Sequence, residues 1–266
     1  MRMRIRMGMS MQLREDTARV WAFLQGHPAL TGFVLVGGTA LALHIEHRQS
    51  EDLDFGFGAL RLPRARIEAL RLAAREHDIA FVANDEPSAV EEFIIAGMDL
   101  NDYQQNYLAS ETVKVTFFCP DPEVLVHIAP GSPHGPRVAT LDEIFAMKCL
   151  VSADRSKSRD WFDLYTLMRD HGYTPARFEG VFFASKVPQK MEIALTRLCS
   201  GRPHQQDEGY ESLLANPPSL AQMSEFFLQV ADEARAAAAK RRLLALRRDT
   251  AHQHAQVNSS RRKPKS

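Results

Sequence analysis

Two carboxylates one residue apart, Asp52 and Asp54, are the residues of this chain best suited to chemistry. They stand in Asp52-Leu53-Asp54-Phe55, which alternates polar and apolar as a strand does, and strand side chains two apart project from the same face. Neighbouring carboxylates repel unless a cation sits between them, so the pair reads as the protein part of a divalent metal site. Just upstream, Phe33–Val36 is an apolar run typical of a strand buried on both faces, and it ends at Gly37-Gly38-Thr39. Glycine permits a sharp turn and close backbone approach. Ala40–Glu46 follows as a short helix whose N-terminal N–H groups can receive a phosphate. A phosphate-binding turn beside a metal-binding strand is a constellation for phosphoryl chemistry. Each half alone has a plain structural explanation, a tight turn or an edge strand with one solvated face, and the combination carries the reading.

The elements that must position this stretch divide the chain into four regions. Residues 1–29 hold a ragged Met/Arg start and an amphipathic helix over Ser10–Gln25. Residues 30–135 carry the strand signals: Phe33–Val36, the Asp52–Phe55 segment, Ile79–Val82, Phe93–Leu100 and Thr112–Phe118, with a helix over Arg64–His77. Asn84–Ser88 and Asn101–Ser110 read as polar connections. Thr112–Phe118 alternates strictly, Val113, Val115 and Phe117 on one face and Thr112, Lys114 and Thr116 on the other. Five prolines between Pro120 and Pro136 mark a long loop and a domain boundary. Residues 136–248 then read as helical throughout, and residues 249–266 as a basic, disordered tail. The expected fold class is α+β, a small mixed sheet with flanking helices followed by a helical C-terminal half.

That helical half supplies the other candidate residues. Thr140-Leu-Asp-Glu143 is a capping box. The helix it starts has an apolar stripe of Leu141, Ile144, Phe145 and Val151, and Lys148 falls on it. A buried ammonium needs a carboxylate, a phosphate or a route to solvent. Arg155, Lys157 and Arg159 crowd the next loop, which leads into a helix capped by Ser158, with Trp161, Leu164, Tyr165 and Met168 as its apolar face. Asp160 and Asp163, three apart, share a side of that helix. First-turn carboxylates are common for dipole reasons alone; with three loop cations they also suit a polyanion site.

Composition excludes more than it selects. Lys+Arg and Asp+Glu are equal at 33 each, so net charge argues for neither nucleic acid nor membrane. Three widely spaced cysteines, with no CxxC or CxxH, argue against a disulfide framework or zinc site and suit a reducing cytoplasm. The start lacks the apolar stretch of a secretory signal, and no run approaches a membrane span.

Gly-Gly-Thr, a twelve-residue gap and DxD on a strand resemble the nucleotidyltransferase superfamily of the polymerase-β type. Two later blocks, ATLDEIFAMKCL and DRSKSRDWFDLY, are similar to the AbiEii/AbiGii toxin family, and the resemblance covers about residues 30–170. It implies a cytoplasmic enzyme moving a nucleoside monophosphate from an NTP onto RNA, with tRNA 3′ ends as the best candidate acceptor. The setting is a type IV-like toxin–antitoxin or abortive-infection system, with an AbiEi-type winged-helix antitoxin encoded nearby. On this chain Asp52 and Asp54 would hold Mg²⁺ or Mn²⁺. Gly37, Gly38 and Thr39 would seat phosphates, with Arg48 or Ser50 helping. Lys148 would neutralise charge on the transferring phosphates. Asp163 or Asp160 would orient the acceptor or act as its base, and Arg159 would pair with phosphate or with these aspartates. One departure stands out: where the superfamily places a third metal-binding carboxylate, this chain has Thr116. Transfer to a protein or small-molecule hydroxyl, and a degenerate nucleotide-binding module without transfer, are the alternatives.

Overall fold

The computed structural model describes residues 13–261. The ragged start over residues 1–8 and the last residues of the basic tail lie outside them. The sheet is built from β1 (Phe33–Val36), β2 (Leu53–Phe57), β3 (Phe81–Ala83), β4 (Gln104–Ala109), β5 (Val113–Phe118) and β6 (Arg137–Val138). Their spatial order is β3-β4-β5-β2-β1-β6. β1 runs antiparallel to β2, with Val36 opposite Asp54, and β2 runs parallel to β5, with Asp54 opposite Thr116. All four residues of β1 are buried, as a central strand requires. On β5, Val113, Val115 and Phe117 face inward. Phe117 packs its ring against Phe33 and Phe55 at centroid distances of 5.6 and 5.5 Å. This aromatic cluster pins the register, because a slip of one residue would turn Asp54 into the core.

Helices α1 (Glu15–Leu24), α2 (Gly37–Ile45) and α3 (Arg64–Arg75) flank the sheet, α5 (Pro122–Leu125) is a single turn in the proline-rich loop, and α3 buries Ile67, Leu70 and Ala74 as its period predicts. His77 lies beyond the end of α3 and is exposed. Helix α6 (Leu141–Asp154) keeps its capping box and is enclosed by α7 (Ser158–Asp170), α8 (Pro175–Ala184) and α9 (Lys190–Ser200). Being enclosed, it is buried well beyond the expected stripe, while Leu141 and Val151 remain half-buried. Glu143 fixes its start: burial would raise this carboxyl, but the Arg137 guanidinium and the Thr140 and Ala129 N–H groups outweigh that and bring it to about 2. No helix among the described residues is long and apolar enough to cross a membrane, and all three cysteines are unpaired.

Several elements differ from the sequence reading. Phe93–Leu100, expected as a strand, is instead the last turn of helix α4 (Pro87–Ile95), a tight turn at Gly97 and the start of a 3-10 helix over Leu100–Asp102. Pro87 occupies the first turn of α4, where a missing N–H costs nothing, and none of the α4 residues is buried. An unburied apolar segment gives no period to read. Conversely, the polar stretch 101–110 contains β4, whose inward residues include Gln105; that amide bonds to the Asn101 carbonyl and the Tyr107 hydroxyl. β6 lies beyond the proline-rich loop yet pairs in parallel with β1, so the sheet continues past the expected boundary at 135. Ser158 is not the cap of α7: Lys157 holds that position, and the Ser158 N–H and hydroxyl both go to Asp207. Helix α10 (Leu220–Arg261) continues far past 248, where a disordered tail was expected. No Gly or Pro interrupts Leu220–Arg261, so nothing local stops the helix.

Candidate active site

The chain leaves β1 at Val36, directly opposite Asp54, and turns. Gly37 has φ +73°, and a Cβ there would lie 2.7 Å from Asp54 Oδ2. A Cβ on Gly38 would lie 2.4 Å from Arg48 Nη2 and 3.3 Å from Ser50 Oγ. Both glycines are therefore required, one by its backbone conformation and both by close approach. The turn opens α2, which starts at Gly37 rather than Ala40 and has no side-chain cap. Thr39 does not face the cleft: its hydroxyl is buried against Ser50 Oγ (2.8 Å) and the Asp52 carbonyl. Thr39 and Ser50 thus tie the loop before β2 to the turn.

Gly37→Ala is expected to cost about 1–2 kcal/mol from left-handed backbone alone, before the contact with Asp54 is counted. In a chain of this size that lowers the melting temperature by about 3–8 °C. Thermal denaturation checks it, and an unchanged midpoint would show the turn to be unstrained.

Asp52 and Asp54 point to one side, as the strand period requires. Among the described residues neither carboxylate has a hydrogen bond or ion pair from another side chain. Burial, reinforced by the charge of Asp52, pushes Asp54 up to about 6. Burial also raises Asp52, against the opposing pull of Lys114. Two carboxylates without side-chain partners, both with raised proton affinity, are a donor set suited to a divalent cation. No group of three or more His, Cys, Asp or Glu positioned for a metal exists among the described residues. Thr116, paired across from Asp54, bonds its hydroxyl to Asn106 Oδ1 at 3.2 Å and leaves the ligand set at two carboxylates.

The helical half closes the site. Lys148 on α6 bridges Asp160 Oδ1 (2.5 Å) and Asp163 Oδ2 (2.7 Å) on α7. Burial would strip its proton, but the two carboxylates outweigh that and raise its pKa above the ordinary value. Asp163 is fully enclosed; Arg48 grips it through Nε (2.8 Å) and Nη2 (3.0 Å), and His47 donates Nε2–H to it at 2.7 Å. Burial opposes the Asp163 charge, yet Arg48 and Lys148 hold it well below the usual carboxylate range. Burial keeps the His47 imidazole pKa low, so the ring is neutral at pH 7. Asp160 also accepts Arg155 Nε at 2.8 Å. Two carboxylates among Arg48, Lys148 and Arg155 leave one positive charge in excess at the cleft edge.

The cleft has two lobes that share Asp54, Lys148, Arg155 and Asp160. The charged lobe, about 80 Å³, is lined by Gly38, Arg48, Ser50, Asp52 and Arg159 among others. The wide lobe, about 650 Å³, is lined by Phe93, Tyr103 and Phe118 with the amides of Gln104 and Asn106. Of the residues singled out from sequence, Gly37, Gly38, Arg48, Ser50, Asp52, Asp54, Lys148, Arg159 and Asp160 line this cleft. Thr39 and Asp163 sit behind it. Arg159 reaches neither Asp160 nor Asp163 but pairs with Glu208 (3.2 Å) and Glu51 (3.5 Å). His47, Glu208 and the aromatic wall were not among the expected site residues, and Arg155 was expected only as one of three loop cations. A histidine in a polar loop and scattered aromatics carry no sequence signal until the fold joins them.

A glycine turn at the end of one strand and paired carboxylates on its antiparallel neighbour, within a mixed sheet, define a nucleotidyltransferase fold. The chain belongs to the family described as nucleotidyl transferase AbiEii toxin, type IV TA system, whose model matches residues 22–258. It is similar in fold to MenT4, a nucleotidyltransferase toxin from Mycobacterium tuberculosis, with a TM-score of 0.51 and 17% identity over 84% of this chain and 86% of that one. JHP933 from Helicobacter pylori aligns with a TM-score of 0.43 and 18% identity over 86% and 96% of the two chains. An uncharacterized protein from Aquifex aeolicus is 26% identical over 141 residues, which are 53% of this chain and 60% of that protein's length.

Proposed function

We propose that this protein transfers a nucleoside monophosphate from an NTP to an RNA hydroxyl, with tRNA 3′ ends as the best candidate acceptor. It would act as the toxin of a toxin–antitoxin pair whose partner is an AbiEi-type winged-helix protein. The observation that carries the reading is the placement of the unpartnered Asp52 and Asp54 in one cleft with the glycine turn, Lys148, Arg155 and Arg159. In the reaction the acceptor hydroxyl oxygen forms a bond to the α-phosphorus and gives its proton to solvent, the α–β P–O bond breaks, and pyrophosphate leaves. A divalent ion, Mg²⁺ or Mn²⁺, held by Asp52 and Asp54 would neutralise charge on the triphosphate. The α2 N–H groups and Arg159 receive the phosphates, and the net positive edge around Lys148 and Arg155 favours the growing negative charge. The wide lobe takes a nucleoside, its rings stacking on Phe93, Tyr103 and Phe118 and its polar edges meeting the Gln104 and Asn106 amides. Asp163 is too enclosed and too firmly ionised to act as a base; it holds Arg48 and Lys148 in place.

The test is incubation with Mg²⁺, each α-labelled NTP and total tRNA, expecting label at the tRNA 3′ end and none with Asp52→Ala. Label appearing on protein or on a small-molecule hydroxyl would redirect the acceptor. The two-carboxylate ligand set favours a second reading, a nucleotide-binding module without transfer, and NTP binding with no labelled acceptor would select it.

A further inference from the structure

Residues 201–209 form a strap between α9 and the fully buried Tyr210, and its acidic tip lies in the charged lobe. Asp207 takes the N–H of Ser158, the first residue of α7, at 3.2 Å and the hydroxyl of the same residue. Glu208 bridges Arg159 Nη1 at 3.2 Å and Lys114 Nζ at 3.4 Å. The Gly209 carbonyl accepts Arg159 Nε at 2.8 Å, and the His204 N–H reaches the Ser156 carbonyl at 2.8 Å. Apart from these contacts the strap is largely open to solvent; the Glu208 side chain is 50% exposed. Its ends are Gly201 (φ +60°) and Gly209 (φ +72°), positions of high backbone freedom.

Each acidic group of the strap occupies a place where an anion is favoured. Asp207 sits on the N-terminus of a 13-residue helix, and Glu208 sits between Arg159, which lines the same lobe as Gly38, and Lys114, which lines the adjoining groove with Asp52. With the strap in place this lobe is narrow, about 80 Å³ against about 650 Å³ for the wide lobe. Six acidic side chains line this lobe against five basic ones, a poor balance for a polyanion. Without Asp207 and Glu208 the balance reverses.

We infer that Asp207 and Glu208 form a displaceable acidic plug, which holds the anion seats at the α7 N-terminus and at Arg159 and Lys114 until an incoming triphosphate expels it. The inference rests on the triphosphate-seat reading given above. Displacement frees the strap to swing about its two glycines and makes nucleotide binding competitive with an internal carboxylate. Any factor that grips the released strap favours the open, nucleotide-loaded form.

The experiment is calorimetric titration of the full chain and of Glu208→Gln with inorganic tripolyphosphate in the presence of Mg²⁺, together with hydrogen exchange of the wild-type strap. Glu208→Gln is expected to bind about fivefold more tightly at low salt, the usual scale for one exposed ion pair, and the advantage should shrink as salt rises. In the wild type, tripolyphosphate should speed exchange at His204, whose N–H bonds across to the Ser156 carbonyl, the reverse of the protection a ligand normally confers. Equal or weaker binding by Glu208→Gln, or added protection of the strap, would overturn the plug while leaving the triphosphate seat standing. Absence of tripolyphosphate binding to either protein would overturn both.

Discussion

Asp54→Asn is expected to abolish nucleotidyl transfer, by at least about a thousandfold, while raising the melting temperature of the metal-free protein. On the proposed function the loss follows from removing one of the two carboxylates that would hold a divalent ion, whose charge neutralisation would supply several kcal/mol to the transfer. The gain follows from the environment of Asp54. Burial and the Asp52 charge push its carboxyl up to about 6, so the folded state binds a proton more tightly than the unfolded chain does. Stability therefore rises as pH falls from 7 through 6 and is fully gained near 4. Asp160 and Asp163, held below the usual range by their cations, keep their stabilising charge throughout that window and lose it only at more acid pH. At pH 7 the ionised Asp54 costs at most about 3 kcal/mol, and asparagine removes that cost. Added Mg²⁺ should raise the wild-type melting temperature by mass action and leave Asp54→Asn almost unmoved. Thermal scans at pH 5 and 7 with and without Mg²⁺ check all of this. A variant that melts lower than wild type at pH 7 would show the Asp54 charge to be satisfied by the protein itself.

Lys148→Met is expected to destabilise the fold by about 3–5 kcal/mol, the usual consequence of removing one partner from a buried ion pair. The methionine fits the volume, but Asp160 and Asp163 would each lose a close cation at 2.5 and 2.7 Å. Asp163 retains Arg48 and His47, and Asp160 retains Arg155, so the fold should survive with a melting temperature about 10 °C lower. Acid sensitivity should increase as well, because both carboxylates would titrate at higher pH. Chemical denaturation of Lys148→Met and of the double variant Lys148→Met/Asp160→Asn separates the causes. If the buried charge is responsible, the double variant recovers part of the loss. A loss under about 1 kcal/mol would mean that water or rearrangement already compensates these carboxylates.

The nucleotidyltransferase fold was legible because its strongest signals are local. The glycine turn after an apolar strand, the alternation around Asp54 and the capping box at Thr140 each lie within a few residues, where backbone geometry alone constrains side-chain type. α4 and β4 were missed for one shared reason. Both border the cleft, so α4 carries apolar residues without burying them and β4 turns the amides of Gln104 and Asn106 to it where a strand covered on both faces would carry aliphatics. Elements that serve a cavity lose the hydrophobic period that betrays buried ones.

By itself the sequence determined that a glycine turn after an apolar strand, a DxD pair, a lysine on an apolar helix stripe and two helical aspartates exist in this protein, since residue type and short spacing suffice for that. Only the tertiary structure decided what each of them does. It placed Asp163 behind the cleft as the anchor of Arg48 and Lys148, turned Thr39 away from the cleft, and set Thr116 opposite Asp54. It also brought Glu208 onto Arg159, a pairing across 49 residues that no spacing rule anticipates. The physical reason is that a charged group takes its role from burial and from the charges within a few ångströms, and those neighbours are chosen by how β2, α6 and α7 pack.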